Sequence, residues 1–356
     1  MNRLLKQIKR SALMPAWVLV FLATLALVGD FIAAEKGKHF VPPLIPYAYY
    51  EQDAKNRGFV SPFAAQNVPS LYHRHWLGTD KLGRDVLAGL IAGTRTALLI
   101  GLGGMFIALS IGLLMGMTAG YFGNDRFKLT KMGLILRGVF FPIFLFYVSV
   151  FFQQNLPFYW FLLPTIAIFL ILKLGDFLFH KISIFSKPIL FPLDTLIMRI
   201  IEILQAVPTI LWLLGLIAAT GQMSIFGLAL FIGLTSWTTT ARLVRGELMR
   251  IRPLEFMETA QILGFSHTRI LLHHALPNVL TPVLIALVFG IAHCILLEAL
   301  LTFIGLGLPL EQVTWGSMLS IARDNPSAWW MVVFPGFMIF ITVYSLNRLG
   351  EALNEQ

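Results

Sequence analysis

The apolar residues of this chain come in runs of roughly 16–25, and that spacing limits the fold more than any other feature. A helix rises 1.5 Å per residue, so about 20 apolar residues cross the ~30 Å hydrocarbon layer of a bilayer. Such a segment satisfies its own backbone hydrogen bonds, which lipid cannot do. The alternating pattern that a transmembrane barrel strand requires is absent. Composition agrees, with 57% of the 356 residues hydrophobic and only 13% charged, about half the charged share of a soluble domain. The sequence reads as an all-α integral membrane protein.

The runs fall at about residues 13–34, 91–119, 138–153, 156–179, 195–219, 223–243, 278–302 and 329–347, which predicts about eight spans. Basic residues gather at alternate ends: Lys6, Lys9 and Arg10 before the first run, Arg126, Lys128 and Lys131 after the second, Lys181 and Lys187 after the fourth. By the positive-inside rule these ends and both termini are cytoplasmic. In a soluble chain the net charge of +9 would raise nucleic acid as a partner; here the cations follow the span ends, and none is expected. The basic-then-apolar start is also the form of a signal peptide. No small-residue cleavage site follows and further runs do, so an uncleaved first span is expected. Cys294, the single cysteine, precludes a disulfide within the chain.

Within the second run Gly104, Ala108, Gly112, Gly116 and Gly120 recur at every fourth position. Small residues at that interval form a smooth ridge where two helices approach closely. The spacing does not distinguish a neighbour in the chain from a partner.

One segment contrasts with all this: "MRIRPLEFMETAQILGFSHTRILLHHALPN", residues 249–278, is polar and helix-like between two apolar runs. Phe256, Ala260 and Leu263 share a helix face, while Glu255, Glu258 and Gln261 point elsewhere. Gly264 breaks the pattern, and Ser266 can cap a second short helix before Pro277 opens the next span. Two short amphipathic helices can dock into a groove on a soluble partner, or lie on lipid headgroups; the face pattern leaves both open. No phosphate-binding loop is present. The Gly37-Lys38 pair has Ile32 where the first glycine should stand and is followed by His39. Any nucleotide-driven step would need a separate ATPase chain.

The segment resembles the EAA loop of ABC importer permeases, in the form used by dipeptide, oligopeptide and nickel importers. Glu258, Ala260, Gly264, His274, Leu276, Pro277 and Asn278 fit the motif, with Thr259, His273 and Ala275 as departures. Four further blocks agree in order: "HWLGTDKLGRDVLAGLIAGTRTALLIGL" at 75–102, "AGYFG" at 119–123, "LQAVPTIL" at 204–211 and "LLEALLTFIGLGLPLEQVTWGSML" at 296–319.

The resemblance implies a type I ABC importer transmembrane domain, a C-type permease subunit with six core spans. The divisions are then 1–34, cytoplasmic start and first span; 35–89, extracytoplasmic; 90–129, second span and turn; 130–190, an inserted two-span hairpin or a re-entrant unit; and 191–356, the remaining core. It implies as partners a homologous permease, two ABC ATPase subunits, an extracytoplasmic binding protein and membrane lipid, in the cytoplasmic (inner) membrane. Glu255, Glu258, Ala260, Gly264, His274, Leu276 and Pro277 would form the ATPase joint, with Glu258 a charged contact and Gly264 the turn. The implied cargo is a di- or oligopeptide, with nickel second.

Ionisable residues within spans are candidates for the translocation path, and Glu298 and Glu202 are the two singled out here. Glu202 also stands three residues from Arg199, at the spacing of a local ion pair. His73 and His75 form a His-x-His, too few ligands for a secure metal site. Neither a cofactor nor a catalytic nucleophile with its base is expected, and the chain is not read as an enzyme. A secondary transporter is the alternative, which inverted repeats would favour and the sequence does not display. An intramembrane enzyme is more remote still.

Overall fold

The computed structural model of the chain describes residues 2–33, 44–125, 128–130, 165–167, 170–171, 188–309 and 311–354. Two compact units divide it, Met1–Met117 with Ile200–Gln356, and Thr118–Arg199.

Helices dominate the described residues: α1 (Asn2–Ile32), α2 (Val86–Phe122), α3 (Leu193–Ala206), α4 (Thr209–Thr220), α5 (Ile225–Ile251), α6 (Glu255–Ile262), α7 (Leu276–Ile304), α8 (Trp315–Ala322) and α9 (Trp330–Asn354). Three are long and apolar enough to cross a membrane: α2, α7 with its lead-in from His267, and α9. The run expected as one span at 195–219 is instead α3 and α4, bent by 78°, a broken span or a re-entrant loop that brings the number to four if the pair counts as one span. Pro208 is the cause. It has no N–H to continue the ladder, and it pushes Val207 out of helical geometry. The Leu204 carbonyl takes its hydrogen bond from the Trp212 indole N–H instead, at 3.1 Å. The expected runs at 138–153 and 156–179 lie outside the described residues, except that 165–167 and 170–171 are helical.

The ridge on α2 packs within the chain, against α5. A methyl group added at Gly112 would come within 2.6 Å of Thr240 Cβ, and one on Gly233 of α5 within 2.7 Å of the Gly104 carbonyl. Such closeness lets two 27- to 37-residue helices interlock without any polar glue. Helix α7 packs against both α5 and α9, and α1 lies along α9.

In the unit Thr118–Arg199, two three-residue strands form an antiparallel ribbon, β1 (Lys128–Thr130) with β2 (Pro188–Leu190), in the register Lys128↔Leu190 and Thr130↔Pro188. Beside it the Asn124 amide donates to Thr195 Oγ1 and accepts the Thr195 N–H, at 2.9 and 3.1 Å. The ribbon brings residues 128–130 beside 188–190. Runs of three residues carry too little alternation to be seen in a sequence.

Candidate functional site

The loop 249–278 begins where α5 ends. Helix α6 buries Met257 and Ala260 and presents Glu255 and Glu258 from its first turn, where the helix dipole favours carboxylates. Phe256 and Leu263, which share a face with Ala260 in the sequence pattern, are exposed instead. An eight-residue helix held through Met257 has only a narrow stripe to bury. Ile262 is 85% and Leu263 64% exposed, a bare apolar tip on an otherwise polar loop.

Gly264 ends α6 at φ +74°, in the left-handed region that a side chain disfavours. Its N–H bonds the Gln261 carbonyl and the Phe265 N–H the Ala260 carbonyl, at 3.0 and 3.2 Å, the paired closure of a Schellman turn. Phe265 is then clamped between the His274 ring, stacked at 5.7 Å, and the Arg269 guanidinium, 4.2 Å from its centroid. His274 therefore braces the turn from behind.

Ser266 caps the next segment by accepting the Arg269 N–H. The expected second short helix is not separate: it runs through a π turn at Ile270–Ala275 directly into α7. Leu276 and Pro277 stand at the start of α7. Pro277 cannot donate to the preceding turn, which accounts for the local widening. The Asn278 side chain takes up the His274 carbonyl at 2.7 Å.

At the opposite end of α5 and α7, the blocks 75–102 and 296–319 meet. Trp315 is fully buried, donates to the Leu90 carbonyl at 3.0 Å and lies against Gly93. Thr96 reaches the Val313 carbonyl at 3.2 Å, and Trp330 donates to the Thr79 carbonyl at 3.1 Å. Helix α8, which the sequence reading passes over, is fixed by a Thr314–Ser317 capping box. That T-x-x-S spacing was the available signal.

His75 is fully buried here, with Nδ1 2.8 Å from Asp85, Nε2 3.4 Å from Asp53, and its ring stacked on Tyr47 at 4.2 Å. Burial alone would lower its pKa, but the hydrogen bonds and charges of Asp85 and then Asp53 carry it above the ordinary value. Asp85 in turn accepts the Ala88 N–H at the start of α2. With both nitrogens of His75 engaged and His73 bound to Ser70 Oγ, the His-x-His pair does not converge on a metal. No group of three or more metal-ligating side chains stands together among the described residues.

Two of the cavities among the described residues of the unit Met1–Met117 with Ile200–Gln356 bear on the candidate residues. One, of about 380 Å³, sits among α8, the end of α7 and residues 80–89, and its charges are paired as Arg84–Asp80 (2.6 Å), Lys81–Asp324 (2.9 Å) and Asp85 with His75 (2.8 Å). The other, of about 630 Å³, opens at the α3–α4 bend and is bounded by α5 and the middle of α7. Glu298 lines neither: it is fully buried beneath Thr302, whose Oγ1 lies 3.1 Å from its Oε1. Glu202 is exposed on α3 and also stands outside both linings.

A family described as "Binding-protein-dependent transport system inner membrane component" matches residues 181–355. A provisionally named peptide transport system permease protein of Brucella suis is 39% identical over 166 residues, 46% of this chain and 55% of that protein. The dipeptide transport system permease protein of Alkalihalophilus pseudofirmus is 28% identical over 89% of this chain and 79% of its own length. For the oligopeptide transport system permease protein of Haemophilus influenzae the figures are 27%, 81% and 71%. The chain spans about half the length of the Brucella relatives it matches, 55%.

Proposed function

We propose that the chain, whose residues 181–355 match the binding-protein-dependent transport system inner membrane components, is a permease subunit of an ATP-driven importer of di- or oligopeptides. It crosses the cytoplasmic membrane about eight times with both termini inside, six core spans carrying an inserted hairpin at 130–190. The β1–β2 ribbon supports that insertion, since it brings residues 128–130 beside 188–190 and so returns the chain to the face it left. Its partners are a homologous permease, two ABC ATPase subunits and an extracytoplasmic binding protein.

The observation that carries this reading is the tip of the 249–278 loop. Ile262 and Leu263 stand exposed at the turn that Gly264 and the Phe265–His274 stack close. A rigid apolar knob flanked by Glu255 and Glu258 suits a groove on a folded partner. Motion of that groove pulls on α6, and through the helix run from His267 to Ile304 reaches the membrane interior without a flexible joint. Glu258 is the charged contact of the joint, and a well-formed contact of this type is worth roughly 1.5–3 kcal/mol.

Gly264→Asp tests the assignment. It places a side chain at φ +74° and a charge beside the apolar tip. Uptake of radiolabelled peptide into cells making the whole transporter is expected to be abolished while the chain still reaches the membrane. Full uptake by this variant would sink the coupling role.

A further inference from the structure

The 630 Å³ cavity at the α3–α4 bend is unlike the rest of the membrane interior. Helix α5 gives it Thr235, Ser236, Thr238, Thr239 and Thr240, and Thr209 adds a sixth hydroxyl from the start of α4. Gln205 and Trp212 join from the broken span and His293 from α7. No carboxylate, ammonium or guanidinium stands in the lining, and His293 is its one titratable side chain. Thr235 to Thr240 lie about 15–23 Å along α5 from its Ile225 end.

Hydroxyls in a membrane helix commonly satisfy themselves on their own backbone or serve helix packing. Some here do so: Thr235 bonds the Phe231 and Ile232 carbonyls, and Thr240 lies against Gly112. Others do not. Ser236 Oγ is buried without a hydrogen-bond partner, and Thr239 is exposed with its face on the cavity. Gln205 spans the gap between α3 and α5, donating to Thr238 Oγ1 at 3.1 Å and accepting from Arg242, which leaves that guanidinium at the edge of the cavity. Burying an unpaired hydroxyl costs about 1–3 kcal/mol, so Ser236 beside a void marks a place that water or cargo fills.

Resting on the reading of the chain as a peptide importer permease, we propose that this hydroxyl-lined cavity is the half of the translocation path contributed by this chain, and that it holds the peptide main chain through neutral donors and acceptors. Ser236, Thr239, Gln205 and His293 make the contacts; Glu298 and Glu202 stand off the path. An uncharged lining of groups that both donate and accept matches the one feature all short peptides share, their amides. Its lining carries no charge of its own, the Arg242 guanidinium at the edge being tied to Gln205, so cargo of different charge passes the same wall.

Charge placed at Thr239 reads this out. Vesicles carrying the whole transporter are assayed for ATP-dependent uptake of trialanine, Ala-Glu-Ala and Ala-Lys-Ala. Thr239→Glu is expected to lower the acidic peptide about ten-fold relative to the basic one, and Thr239→Lys to reverse the order. A packing role would depress all three alike. Wild-type uptake of all three with unchanged proportions in both variants overturns the path assignment and leaves the importer reading standing. No uptake of any peptide by the wild type overturns the importer reading and this inference with it. Thr239→Cys gives a second measurement that depends on a mild substitution, since Cys294 is fully buried. It is expected to react with a membrane-impermeant maleimide and to be protected by trialanine during ATP turnover; a silent thiol contradicts the proposal.

Discussion

At one end of α5 and α7 the connecting segments bury their polar groups; at the other they bare apolar ones. The far end closes on itself: Trp315 and Trp330 donate to carbonyls across the fold, His75 is held by two carboxylates, and Arg84 and Lys81 are paired. Residues 249–278 reverse the arrangement, with Met257 as anchor and Ile262 and Leu263 exposed. Both segments are polar connections between apolar helices, and by composition they look alike. What separates them is whether the chain satisfies itself. The first pairs its buried polar groups across the fold, although Phe63, Leu71 and Trp76 stand exposed on it, while the second presents Ile262 and Leu263 at the end of a short helix.

The comparison can be broken from either side. The largest effect is expected from Gly264→Asp, where uptake should fall to background with normal amounts of protein in the membrane. Trp315→Ala strikes the closed end. Removing a buried indole and its hydrogen bond should cost about 3–5 kcal/mol, read as a large fall in the thermal unfolding temperature of the purified chain. An unchanged temperature would mean that the far end is not the self-sufficient region described. Ile262→Ser should leave that temperature alone and weaken ATPase association about 10–100-fold in a titration with the purified ATPase, as expected for one buried aliphatic side chain. Equal binding would detach the tip from the joint.

The smallest effect is a pH dependence. The groups around His75 are Asp85 and Asp53 on its nitrogens, Tyr47 on its face, and Glu51 and His73 around Tyr47. Because the pKa of His75 is raised on folding, its stabilising contribution is complete below the unfolded value of about 6.5 and is lost as pH rises through the higher folded value. Stability should therefore decline as pH rises past about 6.5 and through the higher folded value, and that slope should flatten in His75→Gln. A slope of the same size in the variant would assign it to other groups. Asp53, with burial raising its pKa but hydrogen bonds from Asn56, Lys55 and His75 holding it below the ordinary value, acts at the acid end instead.

Much of this was legible in the sequence, because hydrophobic run length and motif order are strong signals. The helices at 86–122, 276–304 and 330–354, the Gly264 turn and the Ser266 cap stand where the residues indicated. The ridge on α2 was visible, but its partner was not, since spacing along one helix says nothing about what faces it. The bend at Pro208 was masked by apolar residues on both sides, which read as one span although the proline carried the warning. The cavity was harder still. Five of its six hydroxyls sit in one short stretch of α5, Thr235 to Thr240, and look like ordinary back-bonded residues until the void beside them is known. Glu298 drew attention because a charge in a span is rare, and its burial away from both cavities could not be read from one dimension.

The central claim is that the tip of the 249–278 loop seats in a separate ATPase. A photo-crosslinking amino acid placed at position 262 of the full chain, irradiated in native membranes, tests it directly. The account predicts one dominant adduct, with a polypeptide that binds ATP, and its loss when the Gly264→Asp change is added. Adducts with lipid alone, or an ATPase adduct untouched by that change, would contradict it.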